Sequence, residues 1–258
     1  MRRSGSIDVD GGCLAYTCVG RGEPVVLVHG FTLDQRVWRP QVRSLRRRFR
    51  VLTYDCRGFG RSTCPTGPYN HADDLAVVIA ALGGGPVHLV GMSMGGRIVL
   101  GFALRRPHAV RSLTLIGADV GGYRHDIDWD VPADQDDLTA ARSAWLGHEL
   151  FATARRDPVV WCRVRSMVAD YSGWHWLHED VRVPPDTDTW DRLAEITVPA
   201  TAVVGEHDLP DFHQVARSIE LRMPRASRVV VAGAGHLVNL ESPSICTALI
   251  TARAGALN

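Results

Sequence analysis

The chain of 258 residues contains no lysine; all 29 of its basic residues are arginine. That excludes a lysine Schiff base, a P-loop lysine and a lysine general base. No Cys-x-x-Cys pair occurs among Cys13, Cys18, Cys56, Cys64, Cys162 and Cys246. A chain of this size needs no disulfide staples, so the expectation is reduced, mostly buried thiols in a cytoplasmic protein. No apolar run reaches membrane-spanning length. The two arginines of Met1-Arg2-Arg3-Ser4 have no apolar segment behind them, so no signal peptide is expected. A large charge of one sign is missing as well. The formal net charge is +1 and the longest basic block, Arg46-Arg47-Arg48, reads as a solvated helix face. Neither a nucleic acid nor a membrane is therefore an expected partner. His175 and His178 have no carboxylate cluster to complete a metal site. Gly83-Gly84-Gly85 is a turn and not a dinucleotide fingerprint. No metal and no cofactor are expected.

What is present is an ordinary globular balance, 45% hydrophobic and 22% charged. It suits one α/β domain with room for an insertion. Residues 5–9 and 13–18 read as an opening hairpin. A continuous apolar run at 24–28 reads as a strand buried on both faces, and further strands are expected at 49–54, 86–90, 110–116, 199–204 and 227–232. Helical patterns fall at 36–47, 70–82, 94–105, 211–222 and 242–253. Strand and helix alternate with short loops, which predicts a parallel sheet covered by helices on both faces. The rhythm breaks at Gly117. Residues 121–189 show no buried-strand run, allow helices at 136–155 and 158–171, and carry five of the seven tryptophans. They read as an insertion over the C-terminal strand ends, where open α/β sheets bind ligands. The expected division is a core of residues 1–120 and 190–258 and a helical cap of 121–189.

The central motif is Gly91-Met92-Ser93-Met94-Gly95-Gly96, set between a strand run and a helical run. A serine on so sharp a turn projects its hydroxyl, and the flanking positions need residues without side chains. Ser93 is the expected nucleophile. It needs a base, and the base needs an orienting acid. Two later strand ends offer them: Asp208 in Gly205-Glu206-His207-Asp208, and His236 in Gly233-Ala234-Gly235-His236. Asp119, just past an earlier strand, is the alternative acid; Glu206 and Asp211 flank Asp208. The developing oxyanion needs two donors, and losing one costs on the order of 3 kcal/mol. The expected donors are the amides of Met94 and Phe31. His29, beside Phe31, reads as a loop anchor before a second base. Arg97 offers either a clamp for a substrate carboxylate or a surface ion pair, and Asp55 and Arg57 brace their own loop.

Together with Asp55-x-Arg57-Gly58-x-Gly60-x-Ser62 and Asn239-Leu240-Glu241-Ser242-Pro243, these pieces resemble the α/β-hydrolases of the capped single-domain type. The likeness covers both halves of the core and leaves only the cap unmatched. Within that superfamily the chain resembles 3-oxoadipate enol-lactonases and small esterases. Around Gly96-Arg97 it is also similar to the pyruvate-expelling lyase of menaquinone biosynthesis. The resemblance implies a mostly parallel eight-stranded sheet and a serine hydrolase of a small ester, lactone or thioester. The alternative is a lyase or cyclase that uses the same triad for proton transfer. Serine at the nucleophile position disfavours dehalogenase and aspartyl-ester epoxide chemistry. Met92 replaces the asparagine common in carbon–carbon bond hydrolases.

Overall fold

The computed structural model describes residues 2–81, 83–178 and 188–255. A hairpin of β1 (Arg2–Val9) and β2 (Gly12–Val19) opens the chain, followed by β3 (Glu23–Val28), α1 (Arg39–Leu45) and β4 (Phe49–Tyr54). Then come α2 (His71–Ala81), β5 (Val87–Met92), α3 (Met94–Arg105) and β6 (Val110–Ile116). The sheet order is β1-β2-β4-β3-β5-β6, continued by β7 (Ala200–Gly205) and β8 (Ala226–Val231). β1 and β2 are antiparallel, β2 is antiparallel to β4, and the remaining neighbours are parallel. Every residue of β5 and β7 is buried, as strands covered on both faces must be.

Between β6 and β7 lie α4 (Thr139–Gly147), α5 (Pro158–Asp170) and α6 (Trp174–Leu177), with no strand among the described residues. The segment expected as one helix over 136–155 is α4 followed by two single 3₁₀ turns, Glu149–Phe151 and Ala154–Arg156. Gly147 closes α4, and the His148 side chain caps the next turn by accepting from the Leu150 amide. α6 was not expected; four residues are too few to show a period. Residues 179–187 of the insertion, and Leu82 at the expected end of α2, lie outside the described residues.

The chain ends with α7 (Pro210–Arg222), α8 (Val238–Glu241) and α9 (Pro243–Gly255). α1 packs on α9, which covers β6 and β7, while α2 packs on α3, which covers β3, β5 and β6. No described helix is long and apolar enough to cross a membrane. All six cysteines are unpaired, but only Cys56 and Cys246 are buried and Cys162 is exposed, so the thiols are less sequestered than their composition suggested.

Parallel registry brings the C-terminal strand ends to one edge. Val28 pairs with Gly91, Met92 with Ile116, Ile116 with Val203 and Gly205 with Val231. Phe31, Ser93, Gly117, Asp208 and His236 all follow those ends, so distant positions arrive at one place.

Candidate active site

Ser93 joins β5 to α3 with φ 52° and ψ −119°. A β-carbon makes that region costly, by roughly 1–3 kcal/mol; among the described residues only Thr32 shares a positive φ without being glycine. The turn is held because strand and helix nearly touch. A Cβ on Gly91 would overlap the Gly95 carbonyl, and one on Gly95 would overlap the Val28 carbonyl. The Ser93 amide donates to the Ile116 carbonyl at 3.0 Å, and its own carbonyl accepts from Gly96 and Asp119 at 2.8 and 3.1 Å.

His236 meets Asp208 through Nδ1, 3.0 Å from Oδ1 and 3.1 Å from Oδ2, with both side chains buried. The Leu209 amide adds a bond to Asp208 Oδ1 at 2.8 Å. An acceptor carboxylate fixes the ring proton on Nδ1 and leaves Nε2 as the basic nitrogen. Nε2 is buried without a hydrogen-bond partner among the described residues, so it is not bonded to the Ser93 hydroxyl here. The His236 ring rests on Phe212, with centroids 4.3 Å apart. The loop carrying His236 is braced by Glu241, which accepts from the Gly235 amide and whose carboxyl is pushed up by burial.

Two residues matter here that sequence reasoning passed over. Gly117, with φ 47°, lies directly against the pair: a Cβ there would stand 2.9 Å from His236 Nδ1 and 3.2 Å from Asp208 Oδ2. Its only signal in the sequence was the break in rhythm after β6. His125 is the other. It donates from Nε2 to Asp119 Oδ1 at 2.9 Å, and Asp119 Oδ2 lies 3.6 Å from the Arg97 guanidinium. The carboxylate of Asp119 is thus engaged by His125 and Arg97. Asp211 accepts from the Tyr123 hydroxyl at 2.7 Å, and Glu206 from the Gly233 amide at 2.8 Å.

His29 is fully buried and uses both ring nitrogens on backbone, Nδ1 toward the Gly30 carbonyl and Nε2 from the Cys56 amide, each at 2.8 Å. Burial pulls its pKa below the ordinary imidazole value, so it ties the β3 and β4 loops together as a neutral ring. Gly30 abuts Ser93, its Cβ position being 3.2 Å from Ser93 Cβ. Phe31 follows at once, and Met94 opens α3, where helical amides lack intrahelical acceptors. Asp55 accepts from Gln35 and Arg61, while Arg57 pairs bidentately with Asp74 on α2 at 2.7 and 3.1 Å.

Ser93, Met94 and His236 line one cavity of about 400 Å³, walled by Phe31, Leu33, Met92 and Phe212 from the core and by Trp129, Trp145 and Trp176 from the insertion. Trp145 also reaches the loop below, donating from Nε1 to Thr32 Oγ1 at 2.7 Å. Trp161 packs on Phe151 and Trp174 stacks on His178, away from the cavity wall. Among the described residues no His, Cys, Asp and Glu cluster suits a metal ion.

The family model for the alpha/beta hydrolase fold matches residues 23–243. An (E)-2-((N-methylformamido)methylene)succinate hydrolase from Acinetobacter baylyi is 25% identical, over 87% of each chain. A Bacillus subtilis protein provisionally assigned as a 2-succinyl-6-hydroxy-2,4-cyclohexadiene-1-carboxylate synthase is 28% identical, over 86% of this chain and 87% of its own. The structure of a thermophilic esterase from Thermogutta terrifontis superposes with a TM-score of 0.80 at 26% identity, covering 97% of this chain and 96% of that one. With a strained serine between β5 and α3, an Asp–His pair beyond β7 and β8, and a family match that spans both halves of the sheet, this chain belongs to the alpha/beta hydrolase fold family.

Proposed function

We propose that the chain is a serine hydrolase of small esters, lactones or thioesters. His236 Nε2 takes the proton of Ser93 as the hydroxyl oxygen attacks the substrate carbonyl. Asp208 holds the imidazole in the required tautomer and stabilises the imidazolium. The amides of Phe31 and Met94 stabilise the oxyanion. His236 then protonates the leaving group, and a water repeats the sequence on the acyl-enzyme. The Ser93–His236 hydrogen bond forms in the occupied site, a tightening common in this chemistry. Residues 121–189 act as the cap and supply aromatic walls that exclude water. The small volume and apolar lining favour a short acyl group.

One observation carries this reading: a serine held at φ 52° shares a cavity with an imidazole whose second nitrogen is fixed by a buried carboxylate. The hydrolase from Acinetobacter baylyi and the Thermogutta esterase support it. The Bacillus synthase relative supports a second reading, in which the same residues only move a proton. p-Nitrophenyl butyrate separates them. A hydrolase gives a burst of nitrophenolate matching the enzyme present, and Ser93→Ala abolishes burst and turnover. Full esterase activity in Ser93→Ala sinks the mechanism. Absence of any trapped acyl-enzyme, with proton exchange retained, selects the second reading.

A further inference from the structure

A second Asp–His pair faces the same cavity. Asp119 Oδ1 meets His125 Nε2 at 2.9 Å and also accepts the Val120 amide at 2.6 Å. Its Oδ2 lies 3.6 Å from Arg97. The Val120 amide donates to the same oxygen that meets Nε2, so Oδ1 is the acceptor of both contacts. Nε2 of His125 therefore carries the ring proton, and in the neutral imidazole Nδ1 is a bare lone pair. That Nδ1 is buried and has no hydrogen-bond partner among the described residues, while the side chain as a whole is 10% exposed.

A buried polar atom without a partner is destabilising. The ring is nonetheless held in place, edge-on to Tyr123 at 4.8 Å and to Trp129 at 5.7 Å. It forms part of the wall of the cavity that holds Ser93. Phe212 contacts both imidazoles, His236 at 4.3 Å and His125 at 5.4 Å between centroids. Two nitrogens, His236 Nε2 and His125 Nδ1, are thus kept unpaired beside one aromatic ring. The first has its role in the proposed hydrolysis. The second has none.

We propose that His125 determines specificity: its Nδ1 accepts a hydrogen bond from a hydroxyl or amide N–H of the substrate. The preferred substrates are then esters or lactones that carry such a donor close to the scissile carbonyl. Asp119 is the positioning residue, since it fixes the tautomer that leaves Nδ1 as an acceptor. The proposal rests on the hydrolase reading for its substrates, although not for the state of the ring.

The test compares p-nitrophenyl esters of 2-, 3- and 4-hydroxybutyrate with isosteres in which methyl replaces the hydroxyl. The wild-type protein prefers at least one hydroxy ester by about tenfold in kcat/KM, the scale of one hydrogen bond. His125→Gln keeps an amide at the Nε2 position, and with it the bond to Asp119, but removes the Nδ1 acceptor. It brings the preference close to unity, because kcat/KM falls further on the preferred hydroxy ester than on its methyl isostere. His125→Asn, which retains a polar atom at the Nδ1 position, keeps part of the preference. No hydroxyl preference across the series, or one that survives His125→Gln, overturns the proposal. Equal losses on hydroxy and methyl esters also overturn it, because they mark a merely structural ring. A readout free of turnover is the ¹⁵N spectrum of His125 in the intact protein. Protonated Nε2 and a bare Nδ1 that shifts when 3-hydroxybutyrate is added are expected; the opposite tautomer contradicts the assignment. If Ser93 neither labels nor turns over while this shift occurs, the hydrolase reading fails and the His125 site stands.

Discussion

Replacing Gly117 by alanine tests whether the imidazole depends on its setting. The residue has φ 47°, and the new Cβ would stand 2.9 Å from His236 Nδ1, about 0.5 Å short of ordinary contact. It would also press on Asp208 Oδ2 from 3.2 Å. Neither partner has room to retreat: Asp208 is tied to the Leu209 amide, and His236 is backed by Phe212. The Asp208–His236 bonds of 3.0 and 3.1 Å must lengthen or tilt by a comparable amount. Displacements approaching 1 Å at a catalytic group cost about a hundredfold in rate, so kcat is expected to fall by roughly 10–100-fold. KM stays nearly constant, since Gly117 is not part of the cavity wall. The left-handed backbone and the overpacking together remove about 2–4 kcal/mol of stability. That lowers Tm by roughly 5–15 °C in a protein of this size. Steady-state ester hydrolysis well below the variant's Tm separates the two effects. A Gly117→Ala protein with wild-type kcat, folded and melting lower, would refute the reasoning that this glycine sets the geometry of the pair.

Other perturbations follow from the same contacts. Asp208→Asn leaves His236 without its orienting charge and is expected to lower kcat by about 10³–10⁴-fold. Asp119→Asn, whose carboxylate serves His125 and Arg97, costs less than about tenfold on p-nitrophenyl butyrate; the reverse order moves the acid to β6. Trp145→Phe keeps an aromatic ring but removes the donor to Thr32, whose hydroxyl donates at 2.7 Å to the Phe31 carbonyl. A fall of about tenfold in kcat is expected if that chain aligns the Phe31 amide, and a change in KM alone argues against it. His29 and His88 are both held below the ordinary imidazole value, chiefly by burial. The unfolded chain therefore takes up protons first as pH falls, and native stability is lost as pH drops below the unfolded value of about 6.5. Calorimetry is expected to show Tm falling between about pH 7.5 and 5.5, with a smaller fall in His88→Gln; a Tm constant over that range contradicts the burial argument.

The architecture was legible wherever the physics is local. A strand buried on both faces must be largely apolar, so β5, β6 and β7 are visible as runs, and β6 falls at 110–116 as expected, whereas β8 is a half-exposed edge strand that shows only as Val229-Val230-Val231. Ser93 is legible because the close approach of strand and helix demands glycine at fixed offsets on either side. Long-range neighbours were less accessible. Nothing near Gly117 announces that residues 208 and 236 will pack on it, since the constraint comes from side chains about 90 and 120 positions away. Asp119 was visible as a carboxylate at a strand end, but its partner His125 sits in an irregular stretch without periodicity to orient it. The insertion was the least legible part. Short helices, single 3₁₀ turns and aromatic contacts replace the repeating patterns on which sequence reading depends. Its tryptophans divide between cavity wall and outer packing for reasons that only the folded chain displays.

The central claim is that Ser93 is a nucleophile activated by His236. Its most direct measurement is reaction with a fluorophosphonate, followed by mass analysis of the intact protein and its peptides. One adduct per chain, located on Ser93 and lost in both Ser93→Ala and His236→Gln, is the expected result. An adduct elsewhere, or undiminished labelling of Ser93 in a folded His236→Gln protein, would contradict the account.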